Sequence, residues 1–209
     1  MKVTIYEIRL CQSCGLRYPL VENHPFGERC PKCLGDTAIA ATHLIAPRPA
    51  SLANESGLRL EALLDNIRSA WNVGAIFRTA DGLGVDKLYL CGITSTPDNE
   101  SVHKTSLGTE KTVAWEYAPN ALEMAKRLKA AGCRLIALEQ DERAVPIADA
   151  SFAAQGERLV LVLGNEVTGV DPEILDLCDQ IVYIPMHGQI KSLNVEVTFG
   201  IAVSYLLWS

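Results

Sequence analysis

The amino-acid sequence predicts an α/β domain built on a mainly parallel sheet, preceded by a small module organised by cysteines. Two observations carry this. Short apolar runs alternate with helix-like segments beyond residue 54, and two Cys-x-x-Cys pairs stand close together near the N-terminus. Between these regions, the run from Ala46 to Asn54 (Ala-Pro-Arg-Pro-Ala-Ser-Leu-Ala-Asn) interrupts both patterns. The expected parts are therefore a module over 1–45, a linker over 46–54 and a larger domain over 55–209. A chain of 209 residues has room for one ordinary domain and such an accessory.

In the module, Cys11-Gln-Ser-Cys14 and Cys30-Pro-Lys-Cys33 are separated by 15 residues, a zinc-ribbon spacing. Each pair aims two sulfurs at one point, and four thiolates complete a closed, structural tetrahedral site. A segment of about 40 residues buries too little apolar surface to fold alone, so a metal would supply the missing stability. The alternative is two disulfides or a redox pair, but cytosolic redox motifs come singly within a βαβ setting. His24 lies between the pairs and reads as a loop residue, since four cysteines suffice. Arg9, Arg17, Arg29 and Lys32 make the module mildly basic, which suits a solvated surface and an RNA contact equally well.

In the larger domain, Lys87–Cys91, Arg134–Glu139, Leu159–Leu163 and Ile181–Ile184 are Leu/Ile/Val-rich runs of the kind buried parallel strands require. Leu58–Ile67 has a helix-like composition, yet its place before a Gly-containing loop suits the first strand, and it is read so. Ala121–Ala131 and Pro172–Cys178 read as helices, the second with Asp171 as cap and Pro172 at its first position. Cys91, Cys133 and Cys178 lie in or beside apolar runs and read as core residues.

Composition narrows the function. With 48% hydrophobic and 21% charged residues the chain is of the globular rather than the disordered class. No apolar run approaches the roughly 18 residues of a membrane span, and the start does not read as a signal peptide. The expectation is a cytoplasmic protein without a membrane partner, in which the sequons at Asn54 and Asn99 are chance matches. The net charge of −6 is uneven: residues 1–50 carry +2 and the remainder −8. That disfavours a general nucleic-acid coat while leaving room for a local basic patch. Gly82-Leu-Gly84 starts a dinucleotide fingerprint that Lys87 breaks, no P-loop is present, and Ser101-Val-His-Lys104 lacks the companion motifs of a β-lactamase.

Three segments remain. The first runs from Asn66 to Asp81 and contains Asn72-Val-Gly74-Ala-Ile-Phe-Arg78. The second is Leu163-Gly164-Asn165-Glu166-Val-Thr168-Gly169. The third runs from Ile184-Pro185-Met186 through Ser192-Leu193-Asn194-Val195. Asn72 reads as the N-cap of an amphipathic helix, with Gly74 permitting close approach and Arg78 one turn further on the same face, all able to meet a ligand. Gly164 and Pro185 fall at the carboxyl ends of strands, where open parallel sheets bind ligands, and Gly164 would let the backbone approach one directly. Glu166 reads as a loop carboxylate or a helix cap. Leu193–Trp208 is apolar on nearly every face, so it should be buried, between its own sheet and a second subunit.

The order, spacing and wording of these segments resemble the three signature motifs of SpoU/TrmH RNA methyltransferases, of the SPOUT superfamily, over residues 58–209. The resemblance implies a C-terminal trefoil knot that ordinary topology rules would exclude. It also implies a homodimer, and transfer of a methyl group from S-adenosylmethionine to a ribose 2′-hydroxyl of structured RNA, tRNA or rRNA. Carried onto this sequence, Arg78, Asn72, Glu166, Ser192 and Asn194 would serve the reaction, and the backbone at Leu163, Gly164, Ile184, Met186 and Leu193 would hold the cofactor. Two other readings are a catalytically silent RNA-binding homologue and a knotted methyltransferase that modifies a base. The intact set of polar residues argues against the first, and Arg78 with Ser192-Leu193-Asn194 against the second.

Overall fold

The structure is a computed structural model that describes residues 4–21, 24, 28–45, 57–150, 156–190 and 192–208. It divides into two compact units, Met1–Ala53 and Asn54–Ser209. The linker read over 46–54 lies outside the described residues.

The first unit is a three-stranded antiparallel sheet: β1 (Thr4–Cys11), β2 (Arg17–Val21) and β3 (Thr37–Ile45), in the order β2-β1-β3. β1 pairs with both neighbours, and the β3 ladder slips between Ile8 and Arg9. Among its described residues only Arg9, Cys11 and Cys30 are buried, while Ile5, Ile39 and Leu44 are exposed. The described part of this sheet therefore gains little from apolar burial.

The second unit holds seven strands, all paired in parallel. They are β4 (Arg59–Asp65), β5 (Lys87–Cys91), β6 (Ala114–Ala118), β7 (Arg134–Leu138), β8 (Val145–Pro146), β9 (Arg158–Leu163) and β10 (Gln180–Tyr183). Their order across the sheet is β6-β5-β4-β9-β7-β10-β8. Helices α1 (Ala70–Leu83), α2 (Glu100–Ser106), α3 (Ala121–Ala130), α4 (Pro172–Leu177) and α5 (Val195–Trp208) complete it. The five strands and two helices read from sequence are all present, with ends shifted by two residues at most. The strand reading of 58–67 holds because β4 is central and buried on both faces, which outweighs its Leu/Glu/Ala content. α2, β6 and β8 had no sequence reading.

Two apolar layers cover the sheet. One packs Phe77, Ile76 and Val73 of α1 and Phe199, Val203 and Leu206 of α5 against β4, β5 and β9. The other packs Met124, Ala125 and Leu128 of α3 and Ile174 of α4 against the opposite face. Cys91 and Cys133 are buried and Cys178 half-buried, as core residues.

Within the single chain, α5 is covered on one side only. Phe199, Ala202, Val203, Leu206 and Leu207 are buried, but Val197, Ile201 and Trp208 remain exposed by 45%, 40% and 69%. A single sheet face covers only one side of a helix. Among the described residues no helix is long and apolar enough to cross a membrane.

Candidate active site

The site is built from the loops that leave the carboxyl ends of the parallel strands. Past β4, Asn66 adopts the left-handed conformation (φ 58°). Its Oδ1 accepts the Ile93 N–H at 3.0 Å, and its carbonyl accepts Asn165 Nδ2 at 2.8 Å, which ties the tips of β4, β5 and β9 together. Gly92 is glycine for the same reason: a Cβ there would stand 2.0 Å from Asn66 Oδ1. Thr94 locks the next residue, accepting from the Ile67 N–H and donating to the Leu64 carbonyl.

α1 starts from this frame. Its N-cap is Ser69, whose Oγ accepts the Asn72 N–H, so Asn72 is not the cap but a first-turn residue. Helix entry one turn earlier leaves the Asn72 amide free to bridge. Its Nδ2 donates to Glu166 Oε1 at 3.0 Å, and its Oδ1 accepts from Asn194 Nδ2 at 3.1 Å. Glu166 also accepts the N–H groups of Arg68 (2.8 Å) and Ser69 (3.2 Å), placing its charge at the positive end of α1. Partial burial pushes the Glu166 carboxyl up, but the Arg68 N–H, the Asn72 amide and the Ser69 N–H more than offset this and hold it below the usual range. Asn194 caps α5 through the Glu196 N–H at 2.9 Å, and Glu196 in turn accepts the Thr79 hydroxyl of α1 at 2.8 Å. One residue from each of the three sequence segments thus joins a single hydrogen-bonded chain, Glu166–Asn72–Asn194.

Gly74 and Arg78, four residues apart on α1, meet different surroundings. Gly74 is buried where α1 crosses α2, and a Cβ there would stand 1.9 Å from Thr105 Oγ1 and 2.4 Å from the Val102 carbonyl. Its glycine serves helix packing, whereas Arg78 is exposed. Among the described residues Arg78 has no hydrogen bond or ion pair.

Beside this chain lies a cleft of about 350 Å³. Leu163, Gly164, Ile184, Met186 and Leu193, the five residues expected to hold the cofactor, all line it, together with Glu166 and Ser192. Asn72, Arg78 and Asn194 stand outside its lining. Gly164 is required by its own turn. A Cβ there would be 2.1 Å from the Val170 nitrogen and 2.2 Å from the Gly169 carbonyl carbon, so the glycine lets the 164–170 turn close on itself. That turn is pinned by reciprocal Asn165–Gly169 backbone bonds and by the Asn165 side chain on the Val167 and Thr168 N–H groups. Asn66, Thr94, Asn165 and Glu139, which also lines the cleft, were given no role from sequence. Asn66 and Asn165 stood within the quoted segments, and nothing in local pattern marked the other two.

In the first unit, the four sulfurs of Cys11, Cys14, Cys30 and Cys33 all lie within 4.8 Å of one another. Cys11 Sγ to Cys33 Sγ is 3.4 Å and Cys14 Sγ to Cys30 Sγ 3.7 Å. These are far from a disulfide bond of about 2.05 Å. They are close to the edge of about 3.8 Å that four sulfurs at about 2.3 Å from a tetrahedral zinc define. The Cys11 thiol is lowered to about 6, first by the Cys14 N–H and against partial desolvation, then by the Ser13 N–H; thiolate is the ligating form. His24 is not part of the group. The donor set therefore fits zinc.

Comparison with known proteins agrees with this geometry. Residues 59–204 match the SpoU rRNA Methylase family. The chain is 33% identical over 138 residues to the tRNA (guanosine(18)-2′-O)-methyltransferase of Aquifex aeolicus, covering 66% of this chain and 63% of that protein. It is 30% identical over 168 residues to the 23S rRNA (guanosine-2′-O-)-methyltransferase RlmB of Acinetobacter baylyi, covering 76% and 66%. The chain thus spans less than two thirds of the length of these curated relatives. Among solved structures, the Aquifex aeolicus TrmH/SpoU tRNA modifying enzyme superposes with a TM-score of 0.62 at 29% identity, over 73% of this chain and 75% of that one. The AdoMet-bound rRNA methyltransferase of Sinorhizobium meliloti does so with 0.66 at 26%, over 71% and 55%. With three sequence segments joined in one site and the match running through most of its length, the chain belongs to the SpoU rRNA Methylase family.

Proposed function

We propose that this protein transfers a methyl group from S-adenosylmethionine to a ribose 2′-hydroxyl of tRNA or rRNA. The observation that carries the reading is the Glu166–Asn72–Asn194 chain standing beside a cleft that all five expected cofactor residues line. The names of the relatives, which specify 2′-O-methylation of tRNA and 23S rRNA, support it. So does an AdoMet-bound neighbour of the same fold.

The bound sulfonium supplies an already activated methyl group, so the protein's work is alignment and proton removal. Main-chain groups at Leu163, Gly164, Ile184, Met186 and Leu193, which line the cleft, would hold the cofactor. Glu166, fixed by three donors, keeps the start of α1 and the Asn72 amide in place, and Asn194 orients the start of α5. Ser192, on the cleft wall, orients the ribose. Arg78 is exposed and uncommitted, as a residue that awaits a phosphate must be. A guanidinium stays protonated in proteins, so Arg78 binds the phosphate of the target nucleotide. The 2′-hydroxyl proton then leaves to a phosphate oxygen that Arg78 holds. The four cysteines hold a structural zinc. The exposed Val197, Ile201 and Trp208 of α5 are covered by a second copy in a homodimer.

Arg78→Ala tests the assignment. It should bind S-adenosylhomocysteine within about twofold of the wild type and lose at least ~100-fold in labelled-methyl transfer to bulk RNA. Transfer at the wild-type rate would overturn the role of Arg78. Mapping 2′-O-methyl sites in RNA from a deletion strain identifies the substrate.

A further inference from the structure

Glu139 follows the last residue of β7 and lines the cleft with Gly164 and Ile184, from the tips of the flanking strands β9 and β10. Both carboxylate oxygens are held in direction by the main chain. Oε1 accepts the Gln140 N–H at 2.8 Å, and Oε2 accepts the Val170 N–H at 3.0 Å. Gly169 passes so near that a Cβ there would stand 2.4 Å from Oε2. A carboxylate offers about four lone-pair sites, and two N–H groups use only two of them. Among the described residues no Lys, Arg or His pairs with Glu139. A half-buried anion, rigidly aimed and without a cation, is suited to a ligand that brings hydrogen-bond donors.

Resting on the cofactor reading above, we propose that Glu139 recognises the ribose of the bound nucleoside, its carboxylate accepting hydrogen bonds from the vicinal hydroxyls. The placement selects this end of the ligand. Glu166, on one arm of the 164–170 turn, faces the start of α1 and so the reacting end. Glu139 grips the other arm at Val170. The donors left for it are those of the nucleoside. Open parallel sheets bind ligands outside the carboxyl ends of their strands, and in dinucleotide-binding sheets an acidic side chain takes a ribose hydroxyl there, a precedent for the same chemistry. Two fixed oxygens match two neighbouring hydroxyls better than the single exocyclic amine of the base.

The test is calorimetric binding to the full chain. The ligands are S-adenosylhomocysteine, its 2′-deoxy and 3′-deoxy counterparts, and its inosine counterpart, which lacks the amine. The wild type should bind each deoxy analogue about 10-fold or more weakly than the parent, the size of a hydrogen bond to a charged group. In Glu139→Gln, which retains an acceptor for the Val170 N–H, that penalty should shrink to within about threefold, while the inosine penalty stays as in the wild type. Equal wild-type affinity for the parent and deoxy ligands overturns the assignment without touching the cofactor reading, and needs no variant to fold. A hydroxyl penalty unchanged in Glu139→Gln, or an inosine penalty that vanishes instead, also overturns it. A folded wild type that binds none of the four ligands overturns the cofactor reading and this assignment together.

Discussion

At the scale of single residues, the site depends on side chains whose partners are distant in sequence. Asn72 uses both ends of its amide, one on Glu166 and one on Asn194. An aspartate there would set a second carboxylate against Glu166, so only an amide of this length serves. Two glycines make a controlled pair. Gly164→Ala forces a methyl group into the Gly169–Val170 backbone and should cost about 1–3 kcal/mol or more, with loss of S-adenosylhomocysteine binding. Gly82→Ala, inside α1 with nothing within 4 Å of its added Cβ, should stabilise by roughly 0.5–1 kcal/mol and leave binding unchanged. Denaturant melts of both variants check the contrast. Sequence showed that Gly164 ends a strand, but not that its own turn excludes a side chain.

At the scale of elements, the readable ones were those with a strong periodic or apolar signature. β5, β7 and β9 are apolar runs because both faces are covered, whereas Glu61 interrupts β4 and made its reading ambiguous. β6 sits at the sheet edge with Trp115 and Tyr117 partly exposed, and β8 is two residues long, so neither carries such a run. α2 is short and is held by specific contacts as much as by an apolar face. Its Ser106 and His103 both bond the buried carboxylate of Glu110, which is lowered from an ordinary 4.5 to about 2, first by the Ser106 hydroxyl, against partial desolvation, then by His103. A depressed carboxyl contributes stability that is fully present above its unfolded value and is lost as pH falls through the folded one. The stability gap between wild type and Glu110→Gln should therefore hold at neutral pH and close between about pH 4.5 and 2. Thermal melts across that range check it; a gap independent of pH would show that the carboxylate's charge is irrelevant.

At the scale of the whole molecule, the chain is two units with different sources of stability. Among the described residues, the larger has two apolar layers around a seven-stranded sheet, and the smaller has four clustered sulfurs and few buried side chains. Chelation of zinc should unfold the N-terminal sheet, seen as loss of its amide protection. Affinity for S-adenosylhomocysteine should stay within about twofold, because the whole cleft belongs to residues 138–198. Collapse of binding on chelation would contradict this.

By itself the sequence determined the fold class, the cysteine cluster, the buried strands of the parallel sheet and seven of the residues that line the cleft, Leu163, Gly164, Glu166, Ile184, Met186, Ser192 and Leu193. Each of these is written locally, as spacing or as a run. Only the tertiary structure decided which residue caps α1, what Gly74 and Gly164 exclude, that α5 keeps one apolar side uncovered, and that Glu139 enters the cleft. The α1 cap and the Gly164 turn are local contacts set by backbone geometry. The contacts of Gly74, Glu139 and Asn72 instead join pairs separated by 28 to 122 positions: Gly74 meets Val102 and Thr105, Val170 meets Glu139, and Asn194 meets Asn72. Chain distance carries no information about such contacts until strand order, with β9 inserted between β4 and β7, brings the loop ends to one edge of the sheet.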